Sequence, residues 1–294
     1  MNTLDIRVYD ANINLLKEIS DVISCQYTER SDNIGEFEIH TASAMDCLTK
    51  GNYIRIGSDA TLSGVIEYVY DNTDNFNPDE AADYCVKGYS LLSIPARRIT
   101  VPPSGGDGYT HYKNVSPETI LYDLMDKQVI NPEDTNRAIS LFTSETDQAR
   151  GKAITLDTRY ENVVEVMQKV CAQSGLAICT SLDAASRQIV FEVYQGVDRT
   201  TAPNRYLFSS EFERINKRTF ETSAMGTSNM AYTLGEGDGA DRRLVKVGDG
   251  LTGLNRRELY VDARDISDEN ADDTSYDVVE SLTARGNEKL EDAK

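Results

Sequence analysis

Tryptophan is absent from this chain of 294 residues, and histidine occurs only as His40 and His111. Two histidines so far apart, with five cysteines that form no Cys-x-x-Cys pair, do not supply the clustered ligands from which a zinc site is read. Cys25, Cys47, Cys85, Cys171 and Cys179 are odd in number and read as buried free thiols in a chain folded in a reducing cytoplasm. Positive charge is also short. Lys and Arg total 30 against 49 Asp and Glu, a formal charge of −19. That balance favours solubility and argues against nucleic acid or an anionic membrane as the main partner. Long apolar runs are missing too, so no segment reaches the roughly 20 residues of a membrane span. The opening MNTLDIRVYD lacks the basic and apolar pattern of a secretory leader, which predicts synthesis in a cytosol. The length corresponds to two or three domains, each large enough to bury a core without a metal or disulfide.

What is present is clearest over residues 232–265, YTLGEGDGADRRLVKVGDGLTGLNRRELYVDARD. Short strand-like runs at 231–234, 242–247 and 257–263 are separated by Gly/Asp breaks at 235–239 and 248–250, which predicts a β-meander. Glycine permits positive φ where the chain reverses, and Asp bonds its own backbone there. A phosphate cradle would require a helix after the glycines, whereas a β-rich run follows, and Glu236, Asp238 and Asp241 sit in the loop itself. The same acids lack the twelve-residue frame and final Glu of a helical calcium loop. Arg242-Arg243 and Arg256-Arg257 alternate with Glu258, Asp262 and Asp265 rather than forming a basic face for nucleic acid. Solvated turns between strands account for the stretch best.

In chain order, residues 4–9 alternate and turn at 10–12 into 13–19, a hairpin opening. Further strands are expected at 22–27, 36–41, 52–56, 64–70 and 84–89, close enough together for an antiparallel barrel or sandwich. The acidic run at 71–83 has Phe76 where a calcium loop needs Gly and Ala82 where it needs Glu, so it reads as a hairpin tip. Residues 90–99 predict a short helical turn, and VPPSGGDG at 101–108 a domain boundary. Ser116 and Pro117 open a helix with Ile120, Leu121, Leu124 and Met125 on one face, stopped by Asn131-Pro132. A second helix at 160–174 places Val163, Val164, Met167, Val170 and Cys171 on one stripe, with Gly175 just past its end. Met167 and Cys171 at that spacing read as core rather than a soft-metal site, and His111 as a surface residue with no nucleophile beside it. A hairpin at 176–180 and 188–194 completes a small α/β module. Residues 206–212 and 214–223 lead into the meander; an acidic loop at 265–275 and a helix at 276–290, weakened by Gly286, follow it.

The run GEGDGADRRLVKVGD followed by RRELYVDARD resembles the Gp37-like hub or tail-tip proteins of long non-contractile phage tails. The resemblance extends to GEFEIHTA at 35–42, GNYIRI at 51–56, GVIEYV at 64–69 and KGYSLLSIPARRI at 87–99. It continues through SPETILYDLMDKQVINP and ENVVEVMQKVCAQSGLAI in the same order along most of the chain. It implies an α+β, mainly β protein, with two small tube-like antiparallel β-barrel domains and an inserted α/β domain of helices plus a hairpin. On that reading residues 1–100 form the first hub barrel, 101–200 the insertion, and 201–294 a second barrel, incomplete within this chain and ending in a helix.

The resemblance also implies a role. Three copies would build a pseudo-sixfold ring of the tail tip or baseplate hub that joins the tail tube to the tip and lines the passage for DNA. The implied partners are two further copies of the chain, the distal tail protein, the tail tube and tape-measure proteins, and a tip fibre or spike. DNA is met only in passage, there is no membrane anchor, and the place of action is the virion tail tip after assembly in the bacterial cytoplasm. No catalytic, cofactor-binding or metal-binding residue carries over, and no cofactor is implied. Two other classes stay open on the residues alone. A cell-wall hydrolase could draw a carboxylate pair from 49 acids, none in a distinctive setting. A host-receptor or carbohydrate-binding tail module could use the 16 tyrosines, which serve β-sheets equally well. A further expectation is that the acidic loops pair with Arg242 or Arg256 of a neighbouring copy.

Overall fold

The computed structural model describes residues 5–72, 83–203, 205–207, 219–266 and 277–293. It is a mainly β, α+β chain that divides into two compact units, Met1–Gly196 and Val197–Lys294.

In the first unit, strands β1 (Ile6–Tyr9), β2 (Leu15–Ile19), β3 (Val22–Thr28), β4 (Glu36–Thr41), β5 (Tyr53–Ile56), β6 (Ser63–Asn72) and β7 (Asp83–Ser90) make one seven-stranded sheet. Every pairing in it is antiparallel, in the order β2-β1-β5-β6-β7-β4-β3. The sequence expectation of closely spaced antiparallel strands holds here. The tip of the acidic run, residues 73–82, lies outside the described residues.

Strands β2 and β3 occupy opposite edges, yet only Ser20 and Asp21 separate Ile19 from Val22. Three Cα steps span at most ~11 Å, whereas a flat sheet would hold its outer strands ~29 Å apart. The sheet is therefore rolled. Ile6, Val8, Ile19, Phe37, Ile39, Ile54, Ile56, Ile66 and Val86 meet in one core inside the roll. Among the described residues no pairing joins β2 to β3, so the seam stays open.

Close approach of the backbone sets two residues in this core. The Phe37 ring lies over Gly64 and Gly88, where an added Cβ would come within 2.6 and 2.5 Å of it. A methyl at Gly88 would also meet the Val65 carbonyl at 2.0 Å. Bare backbone at both positions is what lets the aromatic ring fill the roll.

The alternate residues of β1, β5 and β6 serve a second core. Tyr9, Tyr53 and Val65 lie in register across the three strands and join Leu91, Leu92 and the apolar faces of two helices. With both faces covered, β5 is apolar almost throughout, and alternation alone does not show which face is which. The predicted turn after β7 is a pair of 3₁₀ turns, Leu91–Ser93 and Pro95–Arg97.

Next come β8 (Thr110–Val115), α1 (Pro117–Met125), β9 (Phe142–Ser144), β10 (Ile154–Thr158), α2 (Val163–Ser174), β11 (Leu176–Asp183) and β12 (Gln188–Gln195). Both predicted helical stripes are buried. Pro117 opens α1 as expected, and the chain continues through one wide π turn, Asp126–Ile130, before Asn131 ends it. Ser116 does not cap it, because its hydroxyl donates to the Arg150 carbonyl at 2.7 Å. Helix α2 begins later than predicted. Tyr160 has φ +50°, and Asn162 accepts from the amide of Val164 at 3.0 Å. Gly175 closes α2 at φ +68°, the left-handed cap expected of it. Strands β11 and β12 form the predicted hairpin, to which β9 adds in parallel.

In the second unit, β13 (Met230–Leu234), β14 (Leu244–Gly248) and β15 (Glu258–Asp262) fall where the alternating runs predicted, but not as a meander. The order is β14-β13-β15, and β13 and β15 are parallel. The segment after β14 crosses to the far side of β13 instead of turning back beside β14. Gly248, at φ +138°, begins that crossing; a Cβ there would meet the Asn229 carbonyl at 2.2 Å.

Helix α3 (Val278–Asp292), capped by Asp277, covers one face of this sheet through Val278, Leu282 and Leu290. Gly286 lies at the closest contact: a Cβ there would come 2.5 Å from Thr233 Oγ1 and 2.6 Å from Val247 Cγ2. The residue that looked like a flaw in the helix is the one that lets the helix reach the sheet. Residues 208–218 and 267–276, expected as lead-in strands and an acidic loop, lie outside the described residues.

Candidate functional site

The face of the β14-β13-β15 sheet opposite α3 carries the chemistry of the 232–265 stretch. Residues two apart on a strand project to the same side, so the register places Lys246, Tyr232 and Tyr260 in one rung. Two arginine clamps flank it. Arg256 meets Glu258 at 2.5 Å and donates to the Tyr232 hydroxyl at 2.8 Å, while Lys246 lies 5.1 Å from the centre of the Tyr232 ring. Arg242 donates to Asp262 at 2.7 Å, to the Tyr260 hydroxyl at 2.9 Å, and to the carbonyls of Gly235 and Leu234 at 2.8 and 2.7 Å. Arg256 holds Glu258, and Arg242 holds Asp262, below the usual carboxylate range.

These contacts correct one expectation. Arg242 and Arg256 do not await acids from a neighbouring copy, because each is engaged within its own chain; the Arg242 side chain keeps only 7% of its surface exposed. Their work is to rivet β13, β15 and the first glycine loop together; Leu244, Leu251, Leu254 and Tyr260 are among the exposed apolar groups of this unit.

Of the loop acids, Asp238 is occupied locally, accepting from the amide of Gly239 at 2.9 Å. Met167 and Cys171 are both buried, and burial pushes the Cys171 thiol up to about 12, which leaves it unreactive at neutral pH. His111 is held between two carboxylates, Nδ1 to Asp157 at 2.6 Å and Nε2 to Asp107 at 2.7 Å. Partial burial opposes its charge, but the two acids outweigh it and raise its pKa above the ordinary imidazole value.

One grouping was missed by sequence reasoning. Strands β3, β4, β6 and β7 present an outward groove lined by Gln26, Glu36, Glu38, Tyr68, Lys87 and Tyr89. At one end Glu38 bonds both Lys87 and His40, each at 2.8 Å, and these two hold its carboxyl down at about 2. The alternation Glu36-x-Glu38-x-His40 put Glu38 and His40 on one face, but Cys85 and Lys87 join them only through the pairing of β4 with β7.

A match to the family described as Siphovirus ReqiPepy6 Gp37-like protein spans residues 5–294. The chain belongs to that family. Among solved structures, a tail protein from Neisseria meningitidis MC58 is similar with a TM-score of 0.54 and 14% identity, over 89% of this chain and 72% of that one. The c3393 protein of E. coli, a type VI secretion component structurally similar to the T4 bacteriophage tail proteins gp27 and gp5, matches more loosely. Its TM-score is 0.38 at 14% identity, over 60% of this chain and 46% of that one. A chain of the Francisella PdpA-VgrG complex matches with a TM-score of 0.43 and 10% identity, over 90% of this chain and 40% of that one. Of these three, the Neisseria tail protein has the similarity in fold that bears on this chain. No curated protein sequence matches the chain. The family makes this a structural component of a phage tail. Among the described residues no helix is long and apolar enough to cross a membrane.

Proposed function

We propose that the protein is a ring-forming hub of the tail tip, joining the tail tube to the tip and acting by shape rather than by catalysis. The observation that carries this reading is the family match along essentially the whole chain, which takes in both compact units. In the first unit the rolled sheet needs one further pairing at the β2/β3 seam to become a tube-like barrel, and the exposed Leu15, Leu16 and Ile23 lie on those two strands. In the second, a three-stranded sheet covered on one face by α3 supplies part of a similar barrel. The finer domain plan is then a barrel at 1–100, an α/β insertion at 101–200 and a second barrel from 201 onward.

Three copies, each offering two such elements, form a pseudo-sixfold ring that meets the tail tube and tape-measure proteins on one side and the distal tail protein and a fibre or spike on the other. A formal charge of −19 suits a passage through which DNA slides without being held. The test is mass in solution by light scattering across a range of concentrations, followed by imaging. A trimer, or a monomer that trimerises as concentration rises, with a central channel in projection, is the expected result. A monomer at every concentration, alone and with the tube protein, would overturn the ring.

A further inference from the structure

Strands β4 and β7 pair so that Glu38 faces Lys87 and His40 faces Cys85. All four side chains rise from one face of the sheet, two residues apart on each strand. One ligand atom from each of Glu38, His40 and Cys85 lies within 4.8 Å of the other two, and among the described residues this is the one group of three or more such side chains gathered so closely. We propose that Glu38, His40 and Cys85 form a binding site for a single divalent ion of the zinc class, with solvent in the fourth position. This inference does not depend on the tail-hub reading.

The donor set fits that chemistry. An imidazole nitrogen, a thiolate and a carboxylate are the ligand types zinc takes, at roughly 2.0–2.3 Å each, which puts tetrahedral ligands ~3.3–3.8 Å from one another. Glu38 Oε1 stands 2.8 Å from His40 Nε2 and 3.7 Å from Cys85 Sγ, so small rotations of the Glu38 and His40 side chains bring the three into range. Thiolate and carboxylate together carry the two negative charges that match the ion. The ligands also divide by depth: Cys85 is 3% exposed at the floor, while Glu38 and His40 are partly open to water above it. An ion seated on the thiol would therefore keep an open side, as three-ligand zinc sites do.

Lys87 is the feature that needs an account. Its ammonium bonds Glu38 Oε2, not the Oε1 that faces His40 and Cys85. It acts as an outer partner that turns the carboxylate toward the site, in the way that second hydrogen bonds orient metal ligands. Its half-exposed stem can also carry the charge out into water as the ion enters.

The experiment is titration of the full-length chain with Co²⁺ under reducing conditions, read by the thiolate-to-cobalt charge-transfer band in the near ultraviolet and by displacement with Zn²⁺. The expected result is one cobalt per chain with that band. His40→Gln and Cys85→Ser should each weaken binding by ~10–100-fold or more, and Cys47→Ser should leave the titration unchanged. Because Cys85 is buried and its serine variant can fail to fold, His40→Gln and Glu38→Gln, at partly exposed positions, are checked for a native melting curve and carry the test. Absence of the band at saturating cobalt, or a band that survives both of those variants, would overturn the site.

Discussion

Gly286→Ala sets local propensity directly against packing. In an exposed helix interior alanine is favoured over glycine by ~1 kcal/mol. Here the new Cβ would lie 2.5 Å from Thr233 Oγ1 and 2.6 Å from Val247 Cγ2, about 1 Å inside ordinary contact. Neither neighbour can step aside, because Thr233 is buried on the central strand β13 and Val247 packs in the same small core as Leu290. Helix α3 must lift, loosening Leu282 and Leu290, and overpacking of that kind costs ~1–3 kcal/mol. The net expectation is a loss of up to ~2 kcal/mol, equivalent to as much as ~16 °C in the melting temperature of the second unit. The neighbouring exposed Asn287 supplies the control: Asn287→Ala gains propensity and meets nothing, so it should stabilise by a few tenths of a kcal/mol. Calorimetry or near-ultraviolet circular dichroism of the two variants reads the difference in sign. A double variant with Val247→Ala should be less unstable than the sum of its parts. If Gly286→Ala melts higher than the parent, as Asn287→Ala should, the close approach of helix and sheet is refuted.

Two further outcomes follow from buried or clamped charge. The Glu118 side chain is fully buried and accepts from the Arg150 amide at 2.6 Å and from its guanidinium at 3.0 and 2.7 Å, so Glu118→Gln should destabilise the first unit by about 1–3 kcal/mol. The loss is smaller than for a wholly buried pair because Arg150 leaves 29% of its side chain in water. Burial alone would raise the Glu118 carboxyl, but the Arg150 bonds bring it below its ordinary value. Its stabilisation is therefore full above the unfolded carboxyl pKa, near 4.3, and is lost as pH falls through the folded value. Denaturant melts at descending pH should show a flatter acid limb in Glu118→Gln. His111 has the opposite sign: its raised pKa gives stability that is full below about 6.5 and is lost as pH rises through the folded value. The His111 ring protons in an NMR titration should move with a midpoint above that of a free imidazole, and His111→Asn should remove this slope from the pH dependence of melting.

Much of this protein's local structure is legible in its sequence because the signals are short-range. Strand alternation placed β4 at residues 36–41 to the residue, and the stripe of Val163, Val164, Met167, Val170 and Cys171 together with Gly175 located α2 and its cap. The same sequence resembled the tail family it belongs to, because the succession of such segments is itself a pattern. The relations between segments were not legible. Parallel pairing of β15 with β13 depends on which side of β13 the chain passes after Gly248, and a hairpin signal is silent on that choice. Arg242 looked free for a neighbour because its partners, Tyr260 and Asp262, stand 18 and 20 residues away.

Gly286 is a liability by propensity and a necessity by contact, since what it touches belongs to other strands. The grouping of His40 with Cys85 has the same origin, as it needs the register of β4 on β7 and not merely the alternation along either strand. Period and turn chemistry act over a few residues and are written where they act. Register, crossing side and close approach are settled when distant segments compete for the same space, and only the folded chain decides them.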